Sequence, residues 1–266
     1  MLLDKSYIFG QSKDIIQTLC EEKQVYLCGA FLYEVFKDKP EKRASIMNKF
    51  PCISGRPKYA VLPNINKFIE QEFLKQAPIN NDLAIVLTER DFSIHHKLID
   101  PEFNFEGEFS RVMSDKEKDV NQGTAALLKH IKDFSTMYGY LISEENDESK
   151  QEEIMVSDCA VKYIMSVSKI IFDKEMESEN KKMRFPEIDK VDSNWFTYKF
   201  FQVYNLISLD IIKRYPNLQT ILKSNKSKEK LRHDYLDLEY LLWALQLRGF
   251  ATEEKKLKRW YQLLTN

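Results

Sequence analysis

Glycine and proline are scarce in this sequence, which has 7 glycines and 8 prolines among 266 residues. Both residue types disfavour the interior of a helix, so their scarcity favours a helix-rich protein. The sequence has no glycine-rich phosphate loop, which leaves a nucleotide-driven motor without support. It also has no serine on a glycine-flanked elbow, so a hydrolase with a Ser-His-Asp triad is not indicated.

Cysteine and long apolar runs are also in short supply. The 4 cysteines form no CxxC pair, which argues against a zinc site and favours reduced thiols in a cytoplasmic protein. The longest apolar runs, such as LAIVL at 83–87, are far too short to span a bilayer. The first residues lack the layout of a secretory signal. We therefore expect a cytoplasmic protein with no membrane partner.

The sequence carries almost no net charge. Its 40 Lys and Arg residues against 41 Asp and Glu residues give a formal charge of −1, so no global field steers it towards polyanions. Nucleic-acid binding would have to come from local basic patches. The length suits one large domain or two modest ones. The richness in Lys, Ile and Asn is typical of a bacterial protein.

The first quarter of the sequence alternates between short strands and helices. MLLD and QVYLC are predicted strands, and each is followed by a segment with helical apolar spacing. The first of these helices, SKDIIQTLCEE, has Ser12 as its cap, and a third helix begins at Pro40, where proline is best tolerated. This alternation predicts parallel βαβ construction.

The middle of the chain, residues 63–227, loses this rhythm and is predicted to be a helical insertion. Apolar residues recur at helical spacing over 114–143, 155–172 and 193–215. Charge-rich stretches at 144–153 and 173–192 are predicted to be solvated helix ends and loops.

The last forty residues recover the strand and helix alternation. Residues 223–230 are predicted to form a basic, turn-rich loop. The strongly periodic helix HDYLDLEYLLWALQLRG follows and ends at Gly249, a natural residue after a helix C-terminus. The short strand FAT and a final helix complete the chain.

Acidic residues occur at several points where chemistry is expected. Asp4 ends the first strand, Glu34 lies inside an apolar helix, and Asp234 and Asp237 stand three apart on one helix. Glu254 comes just after the last strand. Each also has a structural interpretation: Asp234 as a helix cap, Glu254 as a partner of the next helix dipole, and Glu34 as a solvent-facing side chain.

Taken together, the order and flanks of these acids resemble the PIN-like nuclease family. The resemblance covers residues 1–60 and 228–266 and leaves the middle unmatched. The family pattern is a first strand ending in Asp-x-Ser, a Leu-x-Glu-apolar helix, a helix that opens with Asp and has Ala seven residues on, and a strand ending in Thr-x-acid. The matching segments are Asp4–Lys5–Ser6, Leu32–Tyr33–Glu34–Val35, Asp237 with Ala244, and Thr252–Glu253–Glu254 with Leu257.

The resemblance implies a fold and an activity. The fold is α/β, with a PIN-like parallel-sheet core in three α/β/α layers formed by 1–62 and 228–266, and a large helical insertion at 63–227. The activity is metal-dependent endonuclease cleavage of RNA rather than DNA, in a toxin, defence or RNA-processing role. One departure from the pattern is Glu254, which stands where Asp is usual.

The expected chemistry follows from the acids themselves. Clustered carboxylates repel one another unless cations neutralise them, and Mg²⁺ or Mn²⁺ prefers oxygen ligands. One or two such ions lower the pKa of a bound water and stabilise the leaving oxygen. The predicted catalytic residues are Asp4, Glu34, Asp237, Asp234 and Glu254. Of these, Asp4, Glu34, Asp237 and Glu254 are the predicted metal ligands.

Substrate contacts are predicted from hydroxyl and basic side chains next to these acids. Ser6 is expected to fix the Asp4 loop or to contact a metal-bound water, and Thr252 to orient a neighbouring carboxylate or phosphate. Basic residues flanking the acids are expected to contact phosphates, although an ordinary soluble surface explains them equally well. They are Lys228, Lys230, Arg232 and Lys255.

Two other readings remain open. One is a catalytically inactive PIN-like scaffold that binds RNA or a protein partner, with the helical insertion as the recruiting surface. The other is a helical interaction protein without an active site, in which Asp4, Glu34 and Asp237 would lie far apart.

Overall fold

The computed structural model describes residues 1–53, 56–79, 95–103, 108–179 and 183–266. It is helix-rich and contains a four-stranded parallel sheet and a two-stranded antiparallel pair, which confirms the predicted α/β class. The finer assignment to a three-layer PIN-like core stays a prediction. Among the described residues, no helix has the length and apolarity needed to cross a membrane.

The chain divides into two compact units. The first unit consists of Met1–Asn64, Asp82–Asp119 and Glu239–Gln262. The second unit consists of Ile65–Asn81, Val120–Leu238 and Leu263–Asn266. Compared with the division predicted from the sequence, the structure groups 82–119 with the first unit and 228–238 with the second.

The first unit contains the elements that the sequence pattern predicts at the amino terminus, in the predicted order, and in addition a short helix at Lys5–Gly10 that was not predicted. They are β1 (Leu2–Leu3), α1 (Lys5–Gly10), α2 (Lys13–Glu22), β2 (Tyr26–Leu27), α3 (Gly29–Lys37) and α4 (Pro40–Met47). Three further strands follow, and a fourth comes near the end of the chain: β3 (Cys52–Ile53), β4 (Arg56–Pro57), β5 (Ala60–Val61) and β6 (Phe250–Ala251).

The parallel sheet has the strand order β5-β2-β1-β6. Leu2 pairs with Tyr26 on one side and with Phe250 on the other, so β1 is an inner strand. Leu2 and Leu3 are completely buried. Because the carboxyl ends of parallel strands meet at one edge of a sheet, the residues that follow β1 and β6 come together there.

Local capping explains where the first helices begin. The Ser12 side chain accepts a hydrogen bond from the backbone N–H of Ile15, so the predicted cap of α2 is confirmed. Asp4 performs the same role for α1 by accepting from the backbone N–H of Tyr7. Asp4 is therefore both the residue that ends β1 and the N-cap of the next helix.

The second unit is built around α10 (Phe196–Arg214), which packs against α5 (Ile65–Lys75), α8 (Glu148–Val156) and α9 (Asp158–Ser178). Its remaining elements are α7 (Ser135–Glu144), a 3₁₀ turn (Ile188–Lys190) and α11 (Gln219–Lys223). Three helices cross the boundaries of the units: α6 (Glu108–Asp133), α12 (Asn225–Leu247) and α13 (Lys255–Thr265).

The start and end of α12 differ from the prediction. Residues 225–230 are helical rather than a turn-rich loop, because Lys, Glu and Ser are tolerated well enough in a helix that adjoining turns can extend through them. Asp234 and Asp237 therefore lie within the helix, and neither opens or caps it. The residue with left-handed backbone after the helix is Arg248 (φ 52°), not Gly249.

The charge-rich stretches also contain more helix than predicted. Helix α8 occupies much of the first stretch, and its Gln151 and Glu152 side chains are buried. Helix α9 continues to Ser178, well into the second stretch. The prediction of solvated helix ends and loops was wrong for the first stretch, where tertiary packing buries part of α8. In the second stretch the side chains of residues 177–179 at the end of α9 are exposed, as expected of a solvated helix end.

Candidate active site

Asp4 lies at the carboxyl edge of the parallel sheet with both carboxylate oxygens engaged. Its side chain is buried, and its backbone N–H donates to the carbonyl of Ala251 on β6 (3.1 Å). Oδ1 accepts from Ser6 Oγ (2.6 Å) and from the backbone N–H of Tyr7 (2.8 Å). Oδ2 accepts from Thr252 Oγ1. These donors fix the carboxylate without using a charged partner.

Ser6 and Thr252 connect the turn after β1 to the turn after β6. Each hydroxyl donates to one oxygen of Asp4 and accepts from one backbone amide of the second turn. Ser6 Oγ accepts from the N–H of Glu253 (3.1 Å), and Thr252 Oγ1 accepts from the N–H of Glu254 (3.0 Å). The structure thus brings together Asp4, Ser6 and Thr252, and it adds the backbone N–H of Glu254; that the Glu254 carboxylate binds a metal stays a prediction.

Glu34 is the second carboxylate near Asp4. It lies half-buried on α3, and its Oε2 accepts from the Tyr240 hydroxyl (2.8 Å). Lys5 holds the same helix by donating from Nζ to the backbone carbonyl of Glu34 (3.1 Å) and by pairing with Asp38 (2.9 Å). Glu34 is therefore fixed at both its side chain and its backbone.

Glu34 is close enough to Asp4 to affect the protonation of Asp4. Burial raises the pKa of Asp4, the bonds from Ser6, Thr252 and Tyr7 lower it, and the charge of Glu34 raises it again. Burial and the neighbouring acids also raise the pKa of Tyr240 well above its usual value, so this phenol remains a hydrogen-bond donor. A cation next to the two acids would relieve both desolvation and repulsion.

A buried ion pair lies beside this cluster. Lys116 Nζ is 2.8 Å from Glu239 Oε2, and the Glu239 side chain is almost completely buried. Gly29 makes room for the pair, since a Cβ there would lie 2.8 Å from Glu239 Oε1 and 3.1 Å from Lys116 Nζ. The charge of Glu239 also acts on the Cys28 thiol, whose pKa is raised mainly by burial. The pair adds one charge of each sign and no net charge.

Asp234 and Asp237 belong to the part of α12 that lies in the second unit. The buried Asp234 carboxylate accepts from Arg214 (2.6 Å), and Arg214 also pairs with Asp210 (2.8 Å). Asp234 thus has an ion-pairing role within its own unit. Asp237 is half-buried and lies three positions before Tyr240, so the two residues are neighbours on the surface of α12. That Asp237 binds a metal with Asp4 and Glu34 stays a prediction.

The predicted phosphate-binding residues lie on exposed or half-buried helix surfaces. Lys228 and Lys230 are exposed on α12. Arg232 Nη1 lies 3.7 Å from Oε2 of Glu229, one helical turn earlier. Glu254 and Lys255 are exposed at the start of α13. The contacts of these residues with nucleic acid stay predictions.

Two carboxylates can hold a hard cation when water and phosphate complete its shell. Among the described residues, no group of three or more His, Cys, Asp or Glu side chains is placed to hold a metal ion. Mg²⁺, however, is commonly bound through one or two carboxylates and keeps several waters. Oδ2 of Asp4 accepts a single hydrogen bond and has capacity for one more. Asp4 and Glu34 therefore fit such an ion.

Sequence reasoning missed the residues whose side chains bind the acids of this region, Tyr240 and Lys116. Tyr240 follows Asp237 by one helical turn, so the period of α12 could have indicated it as a neighbour of the acids. Lys116 had no such signal, because it lies far along the chain in a segment predicted to belong to the insertion.

Comparison with known proteins adds no assignment: no family model, no curated protein and no solved structure matches this chain. The function therefore has to be inferred from the chemistry of the site.

Proposed function

We propose that this protein is a metal-dependent nuclease of the PIN-like kind, which hydrolyses phosphodiester bonds in RNA with Asp4 and Glu34 as its central acids. The observation that carries the proposal is the buried Asp4 carboxylate at the carboxyl edge of the sheet, next to Glu34. In open parallel sheets this edge is where ligands bind and where reactions occur.

The chemistry follows from the charges of this site. A bound Mg²⁺ or Mn²⁺ would supply a water of lowered pKa and neutralise phosphate charge. Asp4 and Glu34 would hold that ion, while Ser6 and Thr252 keep Asp4 in place. Tyr240 would orient Glu34 through its hydroxyl. The basic residues predicted from the sequence to contact phosphates are Lys228, Lys230, Arg232 and Lys255, of which Lys255 belongs to the same unit as Asp4.

Cleavage of end-labelled single-stranded RNA and DNA tests the proposal. Wild-type protein should cut RNA with Mn²⁺ or Mg²⁺ and lose activity with a chelator. Asp4→Asn should reduce the rate by about a hundredfold or more, because the substitution removes a charge that holds the cation. The matched control is Asp14→Asn, an exposed aspartate of α2 in the same unit, which should cut like the wild type. Equal cutting by Asp4→Asn and wild type would refute the assignment.

Asp237→Asn, Asp234→Asn and Glu254→Gln test the other predicted acids in the same assay. Asp237→Asn should behave like Asp4→Asn if it is a ligand. Asp234→Asn should mainly destabilise the protein, because it breaks the pair with Arg214. A comparison of unfolding curves separates the two effects.

A second candidate is a PIN-like scaffold that binds RNA or a protein without cutting. The shortage of grouped metal ligands among the described residues favours it. Thermal unfolding with and without Mn²⁺ separates the candidates, since an ion at 100 times its dissociation constant adds about 2.7 kcal/mol to stability. A melting temperature insensitive to metal, together with absent cleavage, would favour the scaffold.

A further inference from the structure

A cavity of about 370 Å³ opens in the second unit, beside residues 184–195. This volume lies in the range of sites that bind small molecules. The cavity is distant in sequence from Asp4 and Glu34, and none of the residues assigned to the proposed nuclease lines it. Its lining combines two aromatic side chains with three cationic ones, one acid and one amide: Phe185, Trp195, Lys169, Arg184, Lys190, Glu187 and Gln76.

The wall of this cavity is held in place by bonds from surrounding helices. Gln76 Nε2 donates to the carbonyl of Arg184 (2.9 Å). The N–H of Phe185 donates to Asp173 (3.2 Å), and Lys169 Nζ is 3.4 Å from the Phe185 carbonyl. Phe185 and Trp195 are both part of the hydrophobic core of the unit. The wall at Arg184, Phe185 and Trp195 is therefore held in place before any ligand binds, which lowers the entropic cost of binding.

The charges around the cavity favour an anion. Lys169 is neutralised by Asp173 (2.8 Å). Lys190 is 2.7 Å from Glu187, but both side chains are about two thirds exposed or more, and exposed pairs contribute little to stability. Arg184 is exposed and forms no ion pair with any residue that the structure describes. A planar guanidinium at this position suits a phosphate or carboxylate group.

We propose that this cavity binds a small organic anion made of a planar apolar group and a phosphate or carboxylate. Arg184 holds the anionic group, and Lys190 joins it by leaving Glu187. The planar group contacts the edges of Phe185 and Trp195. This site is independent of the proposed nuclease chemistry, and it gives the second unit a ligand of its own.

Calorimetric titration of the full chain with defined probes tests this site. Phenyl phosphate and benzoate carry both features of the proposed ligand, and their relative affinities tell phosphate from carboxylate. Inorganic phosphate lacks the ring, and benzyl alcohol lacks the charge. At least one aromatic anion should bind saturably, and more tightly than both partial probes.

Three variants localise the binding. Arg184→Gln should lower the affinity for whichever aromatic anion binds more tightly by about tenfold, because a charge-assisted hydrogen bond is lost. Glu187→Gln should raise the affinity for the same anion, since the Glu187 carboxylate no longer competes with the anion for Lys190. Lys174→Gln is the control, because this lysine is exposed on α9 of the same unit and does not line the cavity. Absence of saturable binding by the wild type, or equal weakening by Arg184→Gln and Lys174→Gln, would overturn the proposal.

Discussion

Tyr240 is the residue whose role is most easily separated from that of the acids. Its ring is buried, and its hydroxyl donates to Glu34 at 2.8 Å. Groups that orient a metal-binding carboxylate contribute to metal affinity although they never contact the ion. A phenylalanine at this position would keep the packing and remove only the donor.

We therefore expect Tyr240→Phe to bind Mn²⁺ about tenfold more weakly, because Glu34 loses the bond that orients it. Stability should fall by about 1 kcal/mol, which is typical for one lost hydrogen bond. Titration calorimetry measures the first effect and urea unfolding the second.

Tyr33→Phe is the control for that experiment. Tyr33 is also buried in the first unit, but its hydroxyl donates to Glu117 rather than to Glu34. Equal loss of affinity in both variants would remove Tyr240 from the site. A wild type that binds no Mn²⁺ would instead contradict the nuclease proposal itself, so the two failures are distinguishable.

Helix α10 shows how one element can depend on a side chain from another. Glu72 of α5 is completely buried and accepts from the backbone N–H groups of Phe196 (2.7 Å) and Thr197 (2.8 Å) at the start of α10. It also accepts from Thr197 Oγ1 (2.6 Å) and from the N–H of Ile79 (3.2 Å). A negative charge at a helix N-terminus is favourable, because the unsatisfied N–H groups there carry positive partial charge.

Glu72→Gln should destabilise the protein by about 3 kcal/mol. The substitution leaves a single acceptor oxygen in place of the two carboxylate oxygens, and the new NH₂ group points at backbone N–H donors to which it cannot bond. Urea unfolding followed by circular dichroism measures this loss. Glu70→Gln changes an exposed glutamate on the same helix and should leave stability nearly unchanged. If the two variants unfold alike, the capping contribution of Glu72 is negligible.

Elements with strong local signals could be predicted from the sequence, and elements formed by distant contacts could not. Helix α2 carries its apolar spacing and its Ser12 cap within eleven residues, so no tertiary information is needed. Strands β1 and β2 lie in apolar runs that mark them in the sequence, whereas β3 and β4 carry exposed residues and lie in no such run. The start of α12 was missed because Lys, Ser and Glu are compatible with both loop and helix.

The same distinction applies to the candidate site. Asp4 and Thr252 could be predicted to meet, because both follow strands of a parallel sheet. The bonds of Tyr240 to Glu34 and of Lys116 to Glu239 depend on side-chain packing between helices distant in sequence. No local pattern encodes such pairs.

At the scale of the whole molecule, acid should weaken the fold through a buried histidine. Burial lowers the pKa of His130 to about 4, and its ring packs against Phe134 and Tyr204. Above pH of about 6.5 the ring is neutral in both folded and unfolded chains. Between that pH and 4, the unfolded chain binds the proton more readily, so the free energy of unfolding falls as pH falls.

Urea unfolding at pH 7 and pH 4.5 should reveal this loss, which is about 3 kcal/mol at most for a shift of this size. His130→Phe should reduce the difference between the two pH values, since phenylalanine cannot be protonated. His233→Phe is the control, because His233 is exposed on α12. A difference that is the same in the wild type and in His130→Phe would assign the acid sensitivity to other groups.

The pairing of β1 with β6 has a consequence for the synthesis of the protein on the ribosome. The hydroxyl of Thr252 reaches an aspartate that lies 248 residues earlier in the chain. A ribosome that has already made Asp4 must therefore translate nearly all of this sequence before the last donor to that carboxylate emerges. Until then the edge of the sheet lacks β6, so a protein with the nuclease activity that we propose could not yet cut its own messenger. Because β6 is synthesised late, the activity proposed for this protein would begin only when translation is nearly finished.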